Sequence, residues 1–462
     1  MAWTDAGRSM RGTARIAVVS LAFVVAAHVA AAEAKNSEYR GWKSLALENG
    51  LVQVQIVPDI GGRVIQLKLG DFEFLWVNEW LAGKQPPASG LGPKGEWLNY
   101  GGDKLWPAPQ GWDNEEQWPG PPDAVLDGSP HAGAIEKAEG PDASVRLTSK
   151  PDKRSGIQFS RVIKVGTGSS RVSFDSTMTN VSDTPRRWSI WQVTQHNAEN
   201  RAKTGGRMEK ELWAYCPFNP QSVHPRGYYE MFGLVNDPTF KPDYTRGLMR
   251  VHYERRVGKI GLDCSAGWLA VVNGTAGTVF VQRFTYQPGK KYPDWASVEF
   301  WSNGVGEFIT GGKVNVCKDD PIETPYLIES EVLSPLMQLA PGESCTFHSD
   351  WYAAKIGGNY PVLDCTEAGV MCEPFDARPA DGKLTLNGRF GVFYQSTAEL
   401  LFVDAKDNEV GKAGLKRAAT PLEPLVLKNV TVPVPGAAAK AVLMLYTPDG
   451  RRVDKLAGAN VK

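Results

Sequence analysis

Short runs in which apolar residues alternate with polar ones, separated by turn residues, recur along most of this sequence, and no stretch of convincing helical period interrupts them. A period of two sends successive side chains to opposite faces, so each run fits a half-buried strand. Residues 51–57 place Val52, Val54 and Ile56 on one face. After the turn Pro58-Asp-Ile-Gly-Gly62, residues 63–69 alternate again, with Ile65, Leu67 and Leu69 predicted inward. That is a hairpin signature. Similar runs lie at 144–149, 157–165, 171–179, 188–195, 268–272, 278–285, 296–301, 326–333 and 345–353. Between them stand turn formers such as Asn273-Gly274, Gln287-Pro288-Gly289 and Pro341-Gly342. The 48 glycines and 32 prolines fit many turns joining antiparallel strands. The body is therefore expected to be all-β, a large antiparallel sandwich.

Two stretches, from Trp80 to about His131 and from about Ala198 to Arg256, read as long irregular insertions rich in aromatic residues. Long loops in a compact domain are usually functional, so both are expected to form a ligand-facing rim. Past Gly357 the composition shifts. Residues 357–382 read as a linker, and 383–462 alternate again without tryptophan or histidine, as a small accessory β-sandwich module. At the other end, Arg8, Arg11 and Arg15 precede an apolar run from Ile16, then Ala30-Ala31-Ala32. This is the three-part pattern of a secretory signal peptide over 1–32. The run is short of the roughly 20 residues a bilayer span needs, although an uncleaved anchor is the alternative. The mature chain is expected to be periplasmic or secreted, with no membrane span after signal removal.

Charge narrows the partners. Lysine plus arginine and aspartate plus glutamate are 51 each, with no basic run on any element. Nucleic acid and anionic membranes need clustered positive charge, so neither is expected. Export permits disulfides, and Cys365 and Cys372 are close enough for a local bridge; the other four cysteines are too scattered to pair. No CxxC pattern, dinucleotide motif, phosphate loop or GxSxG occurs, so neither a metal nor a cofactor is expected.

The most informative stretch is Asn99-Tyr100-Gly101-Gly102-Asp103-Lys104-Leu105-Trp106-Pro107-Ala108-Pro109-Gln110-Gly111-Trp112. Its glycines and prolines exclude a helix. Flat rings cover the apolar C–H face of a sugar, and Asn, Asp, Lys and Gln bond its hydroxyls. The alternative is a packed loop whose tryptophans cap a sheet edge. In Arg187-Trp-Ser-Ile-Trp-Gln-Val-Thr-Gln-His196, alternation puts Gln192, Thr194 and His196 on one face and Trp191 and Val193 on the other. Burying the polar set without partners costs about 1–3 kcal/mol per group, so that face is expected to look onto water or ligand. The alternative is a histidine bonded to a neighbouring strand end.

These stretches carry a resemblance. Thr194-Gln195-His196-Asn197 is similar to the Thr-Asn-His strand end of aldose 1-epimerases, the galactose mutarotases. Asp59-Ile-Gly-Gly-Arg-Val64 resembles their opening glycine turn, and Leu327-Ile-Glu-Ser-Glu331 with Leu339-Ala-Pro-Gly-Glu343 their late strand and turn. Together with the Trp-Pro motif, the chain resembles an uncharacterised bacterial family of the galactose-mutarotase-like superfamily, over roughly residues 37–356. The resemblance implies a β supersandwich holding a sugar or oligosaccharide on its concave face. In mutarotases a histidine protonates the ring oxygen and a glutamate takes the anomeric proton. Carried over by position, His196 is the acid and Glu329 the base, with Glu331 next in line; either glutamate could equally be a solvated strand residue. The expected sugar contacts are Arg63, Asn99, Tyr100, Asp103, Lys104, Trp106, Gln110, Gln192 and His131.

The chain also departs from mutarotases. Asp103-Lys104 replaces their Asn-Arg pair, His131 is a loose counterpart of their second histidine, and Asn197-Ala198-Glu199 replaces the aromatics after the acid. Three functions follow: an epimerase-like isomerase, a carbohydrate-binding protein that lost the reaction, and a hydrolase or lyase of larger saccharides. The first needs His196 and a glutamate on one pocket. The second predicts binding that survives loss of both. The third needs a long aromatic groove.

Overall fold

The computed structural model describes residues 30–111, 113–200 and 206–461. The basic start and apolar run of the expected signal peptide, and Trp112, lie outside the described residues. Two large antiparallel sheets form the body. In the 13-stranded sheet the order at the centre is Gly258–Leu262, Val298–Ser302, Leu327–Leu333, Arg186–Asn197, Asp103–Ala108, Arg63–Leu69, Val52–Val57. The 10-stranded sheet includes Thr278–Phe284, Ser344–Lys355, Val172–Asn180 and Ile157–Gly166 in sequence across its middle. One core draws on both sheets: Val54, Leu67 and Ile190 meet Val145, Ile163, Phe174 and Phe280, all fully buried. Each such side chain contributes about 1.5–3 kcal/mol. No α-helix occurs among the described residues, and none of their helices is long and apolar enough to cross a membrane.

Several expectations change here. Val52, Val54 and Ile56 do share the core, but the pairing slips between Gln55 and Ile56. Such a bulge moves one residue to the opposite face. Val64 therefore enters the main core with Leu67 and Leu69, whereas Ile65 packs with Trp42 and Tyr100 in a second cluster.

The aromatic motif is not a loop. Asp103–Ala108 is a strand in the large sheet, paired along its length with Arg186–Asn197. On its other edge it meets Arg63–Leu69 only at Asp103, and a largely unpaired edge tolerates Pro107. Gly101 and Gly102 lead into it at φ +95° and +72°, and a Cβ on Gly101 would come within 2.2 Å of the Trp76 carbonyl oxygen. Nor is the stretch from Ala198 to Arg256 irregular throughout. Leu212–Pro217, Phe240–Asp243 and Leu248–His252 join the 10-stranded sheet, and Tyr229–Gly233 ends the other.

The C-terminal part consists of two four-stranded sheets around their own core, which includes Leu386, Phe390, Leu400, Phe402, Leu443 and Leu445. The expected linker carries the 12-residue strand Gly369–Ala380. Two register shifts break its alternation, which hides it in the sequence. Nor does this part stand free of the body. Val362, Cys372 and Phe393 share a buried cluster with Trp268, Val281 and Tyr352 of the 10-stranded sheet. Cys365 and Cys372 are both free thiols in that cluster, as are the other four cysteines elsewhere, so the expected local bridge is not formed.

Candidate functional site

Three neighbouring strands, Asp103–Ala108, Arg186–Asn197 and Leu327–Leu333, carry polar residues on both faces, and the faces do different work. Toward the sandwich interior point Asp103, Gln192, Thr194, His196 and Ser330. Asp103 accepts from Arg161 Nη1 at 2.5 Å, Thr194 Oγ1 at 2.7 Å and Gln192 Nε2 at 3.1 Å. Gln282 on the facing sheet donates to Thr194 Oγ1 at 3.2 Å and accepts from Ser330 Oγ at 2.6 Å. His196 Nε2 lies 2.7 Å from Ser330 Oγ, with the ring edge-on to Phe280 at 4.7 Å. Ser349 Oγ donates to Gln192 at 2.7 Å.

This corrects the expectation that Gln192, Thr194 and His196 face water or ligand. The alternation divides the strand as expected, but both faces are buried, and the polar set is the one between the two sheets. Neighbouring side chains satisfy it, so the desolvation penalty that argued for exposure does not arise. Burial pushes His196 down to about 3, leaving a neutral ring sealed between the sheets. It cannot serve as a proton donor to a sugar on the other side. Asp103 and Gln192 are removed from the ligand contacts for the same reason.

The opposite, outer face holds Lys104, Trp106, Trp191, Gln195, Glu329 and Glu331. Lys104 Nζ lies 3.4 Å from Glu329 Oε1, which also accepts from Gln195 Nε2 at 2.6 Å. The ammonium sits 4.7 Å from the Trp106 ring centre and 5.6 Å from that of Trp97. Burial lowers the Lys104 pKa, and Glu329 opposes the shift. Trp106 packs against Trp118 at 5.0 Å and Trp191 at 5.5 Å. Asp127 ties this wall to the sheet, accepting from Arg63 at 2.7 Å, Trp97 at 2.7 Å and Trp106 at 3.0 Å. Lys104, Gln195 and Trp106 are buried, whereas the Glu329 side chain is 12% exposed. Half-buried Trp97 stands over Lys104, and half-buried Trp301 lies directly opposite Glu329 in register.

One step along the strand, Glu331 Oε2 accepts from Trp191 Nε1 at 2.7 Å and Lys259 Nζ at 2.9 Å. Lys259 also pairs with Glu299 at 2.6 Å. Burial raises the Glu331 carboxyl to about 8 against the pull of Lys259. For Lys259, burial works downward and the two carboxylates outweigh it, so the ammonium is held above its ordinary range. A cavity of about 90 Å³ opens beside this trio, lined among others by Gln110, Trp191, Phe232 and Glu299.

With this geometry in place, sequence comparison assigns a family. A model described as Domain of unknown function (DUF4380) matches residues 42–354. The chain belongs to the DUF4380 family. No curated protein matches the chain. Among solved structures it is similar to a TPR-domain containing protein from Parabacteroides distasonis, at 16% identity and TM-score 0.44, covering 70% of this chain and 48% of that one. The match thus spans about half the length of that relative. A galactose mutarotase-like protein from Clostridium acetobutylicum is similar at 13% identity and TM-score 0.42, over 70% of this chain and 99% of that one. A galactose mutarotase-like protein from Lactobacillus casei is similar at 11% identity and TM-score 0.41, over 67% and 99%.

Within this DUF4380 domain the remaining expected contacts are dispersed. Arg63 and Tyr100 are buried in the wall, with the guanidinium 5.9 Å from the Tyr100 ring centre. Asn99 caps its own turn, accepting from Gly101 N at 3.2 Å. His131 lies against Gly62 in a small cavity with Leu105 and Arg161, where burial lowers it to about 4. Trp106, Lys104 and Glu329 do come together. Sequence reasoning missed Trp97, Asp127, Gln195, Lys259, Glu299 and Trp301. Gln195 was within reach, since it shares a face with Trp191. Lys259, in the short Gly-flanked strand Gly258–Leu262, gave no signal.

Proposed function

We propose that the outer face binds a saccharide over Glu329, in an exported protein. The observation that carries this is the Glu329 carboxylate, held by Lys104 and Gln195, with half-buried Trp301 opposite it and half-buried Trp97 over Lys104. A carboxylate fixed by two donors keeps lone pairs for sugar hydroxyls, and the indole faces cover a ring's C–H surface. The export reading rests on the basic and apolar start of the sequence, and cell fractionation of the tagged full chain tests it.

A second reading is acid–base turnover on that sugar. It is favoured by Glu331, which keeps a proton up to about 8 next to a second glutamate. A neutral carboxyl beside a carboxylate is the arrangement that divides acid and base roles. A sugar-array screen followed by titration calorimetry on hits tests binding. Glu329→Gln is expected to weaken it about tenfold, the worth of a hydrogen bond to a charged group. NMR of anomer exchange then separates turnover from binding: acceleration lost in Glu331→Gln supports turnover, and no acceleration leaves binding alone.

A further inference from the structure

Backbone strain and exposure coincide at Trp295. The single turn Pro293–Trp295 leads into the strand Val298–Ser302, which carries Glu299 and Trp301. Asp294 holds φ +48° and Trp295 φ +57°. Left-handed backbone is unfavourable for a bulky side chain, so two such residues in succession are held at an energetic cost. Trp295 is also 54% exposed.

The surroundings fix the turn in this shape. Tyr292 and Pro293 are buried, and Ala296 N donates to the Pro293 carbonyl at 2.9 Å. Tyr292 stacks on Tyr286 at 5.3 Å between ring centres, and its hydroxyl accepts from Gln287 N at 2.9 Å. His224 Nε2 lies 3.0 Å from the Trp295 carbonyl oxygen, its ring stacked on Tyr229 at 4.8 Å. Lys291 Nζ stands 5.4 Å from the Trp295 ring centre, yet more than half of the residue stays in solvent. A backbone held this way around an outward-facing indole pre-organises a contact surface.

Its position points to the ligand. Asp294 lines the cavity beside Trp191 together with Phe232 and Glu299. The Phe232 ring lies 6.3 Å from that of Trp301, which stands opposite Glu329. Aromatic side chains thus run along the outer face from Trp301 through Phe232 to the turn that carries Trp295. Trp301 is near one end of its strand and the turn precedes the other, a separation of about 10 Å along the strand alone. A ligand that touches both is longer than one sugar ring.

We propose that Trp295 is the platform for a further sugar unit, so that the ligand bound over Glu329 is an oligosaccharide. The indole face covers the C–H surface of that ring, and the exposed Asp294 accepts from its hydroxyls. This rests on the saccharide reading above.

The test is titration calorimetry and tryptophan fluorescence of the full chain with glucose, galactose, cellotetraose, maltotetraose and galactotetraose. One tetrasaccharide is expected to bind about tenfold tighter than its own monosaccharide, with emission moving to shorter wavelength as the indole is covered. Trp295→Gly is expected to erase that preference and that emission change, and to leave the monosaccharide constant unchanged. Because glycine adopts the left-handed backbone freely, the same variant is expected not to lower the unfolding midpoint, which removal of a packed indole would. Trp295→Asn, which also tolerates that backbone, is expected to behave alike and serves where the glycine variant fails to fold. Equal binding of monosaccharide and tetrasaccharide overturns the platform and leaves the saccharide reading standing. A preference retained in full by Trp295→Gly or Trp295→Asn also overturns it. Binding of no sugar overturns the saccharide reading together with the platform that rests on it.

Discussion

The two faces of the Arg186–Asn197 strand are equally polar on paper and unlike in the folded chain. Facing the sandwich, Gln192, Thr194 and His196 join Asp103, Gln282 and Ser330 in a network in which the carboxylate of Asp103 meets three donors and the unpaired atoms, Arg161 Nε and Nη2, stay buried between the sheets. On the outer face, Gln195 and Glu329 belong to a network that is left open, with a carboxylate reaching solvent. Closed networks fix a fold, because every member depends on the rest. Open ones leave valence for a ligand. The comparison moves the proposed site from His196 to the carboxylates on the Trp191 face.

The largest effect expected from breaking this contrast is on the closed side. Asp103→Ala strands Arg161 as a buried unpaired charge, which should destabilise the fold by about 3–5 kcal/mol in urea unfolding. His196→Gln should cost less, about 1–3 kcal/mol from the disturbed Ser330 bond, and leave saccharide affinity at the wild-type value in calorimetry. On the open side the pattern inverts. Glu329→Gln should lose about 1.4 kcal/mol of binding, tenfold in Kd, with little change in unfolding midpoint.

The pH slopes of stability have opposite signs on the two faces. Folded His196 stays neutral down to about 3, whereas an unfolded histidine takes a proton below its ordinary 6.5. Its contribution to stability therefore falls as pH drops from 6.5 toward 3. Folded Glu331 keeps its proton up to about 8, whereas an unfolded glutamate loses it above its ordinary 4.5. Its contribution falls as pH rises from 4.5 to about 8. His196→Gln should flatten the acid limb and Glu331→Gln the alkaline limb in denaturation series across pH.

Much of the scaffold was legible because period-two alternation is a local signal. Val52, Val54 and Ile56 point where their pattern says, and the strands expected at 157–165 and 171–179 lie within Ile157–Gly166 and Val172–Asn180. Where a bulge intervenes, as before Ile65 and in Gly369–Ala380, the period slips and the local signal misleads. The site was harder for a different reason. Alternation sorts Gln192 from Trp191 but does not say which side faces the other sheet, because that depends on partners such as Gln282 and Arg161 at distant sequence positions. The Trp-Pro motif places Lys104 and Trp106 on the face of the proposed site. Its own indole, hydrogen-bonded to Asp127 and packed among tryptophans, belongs to the wall behind the proposed site.

The most direct test is a side-by-side saccharide isotherm of wild type, Glu329→Gln and His196→Gln, each checked for folding by circular dichroism. Weakened binding in the glutamate variant with an unchanged constant in the histidine variant is the result expected from a ligand on the outer face. The reverse, with binding lost in His196→Gln and kept in Glu329→Gln, would put the ligand on the other side of the sheet and contradict it.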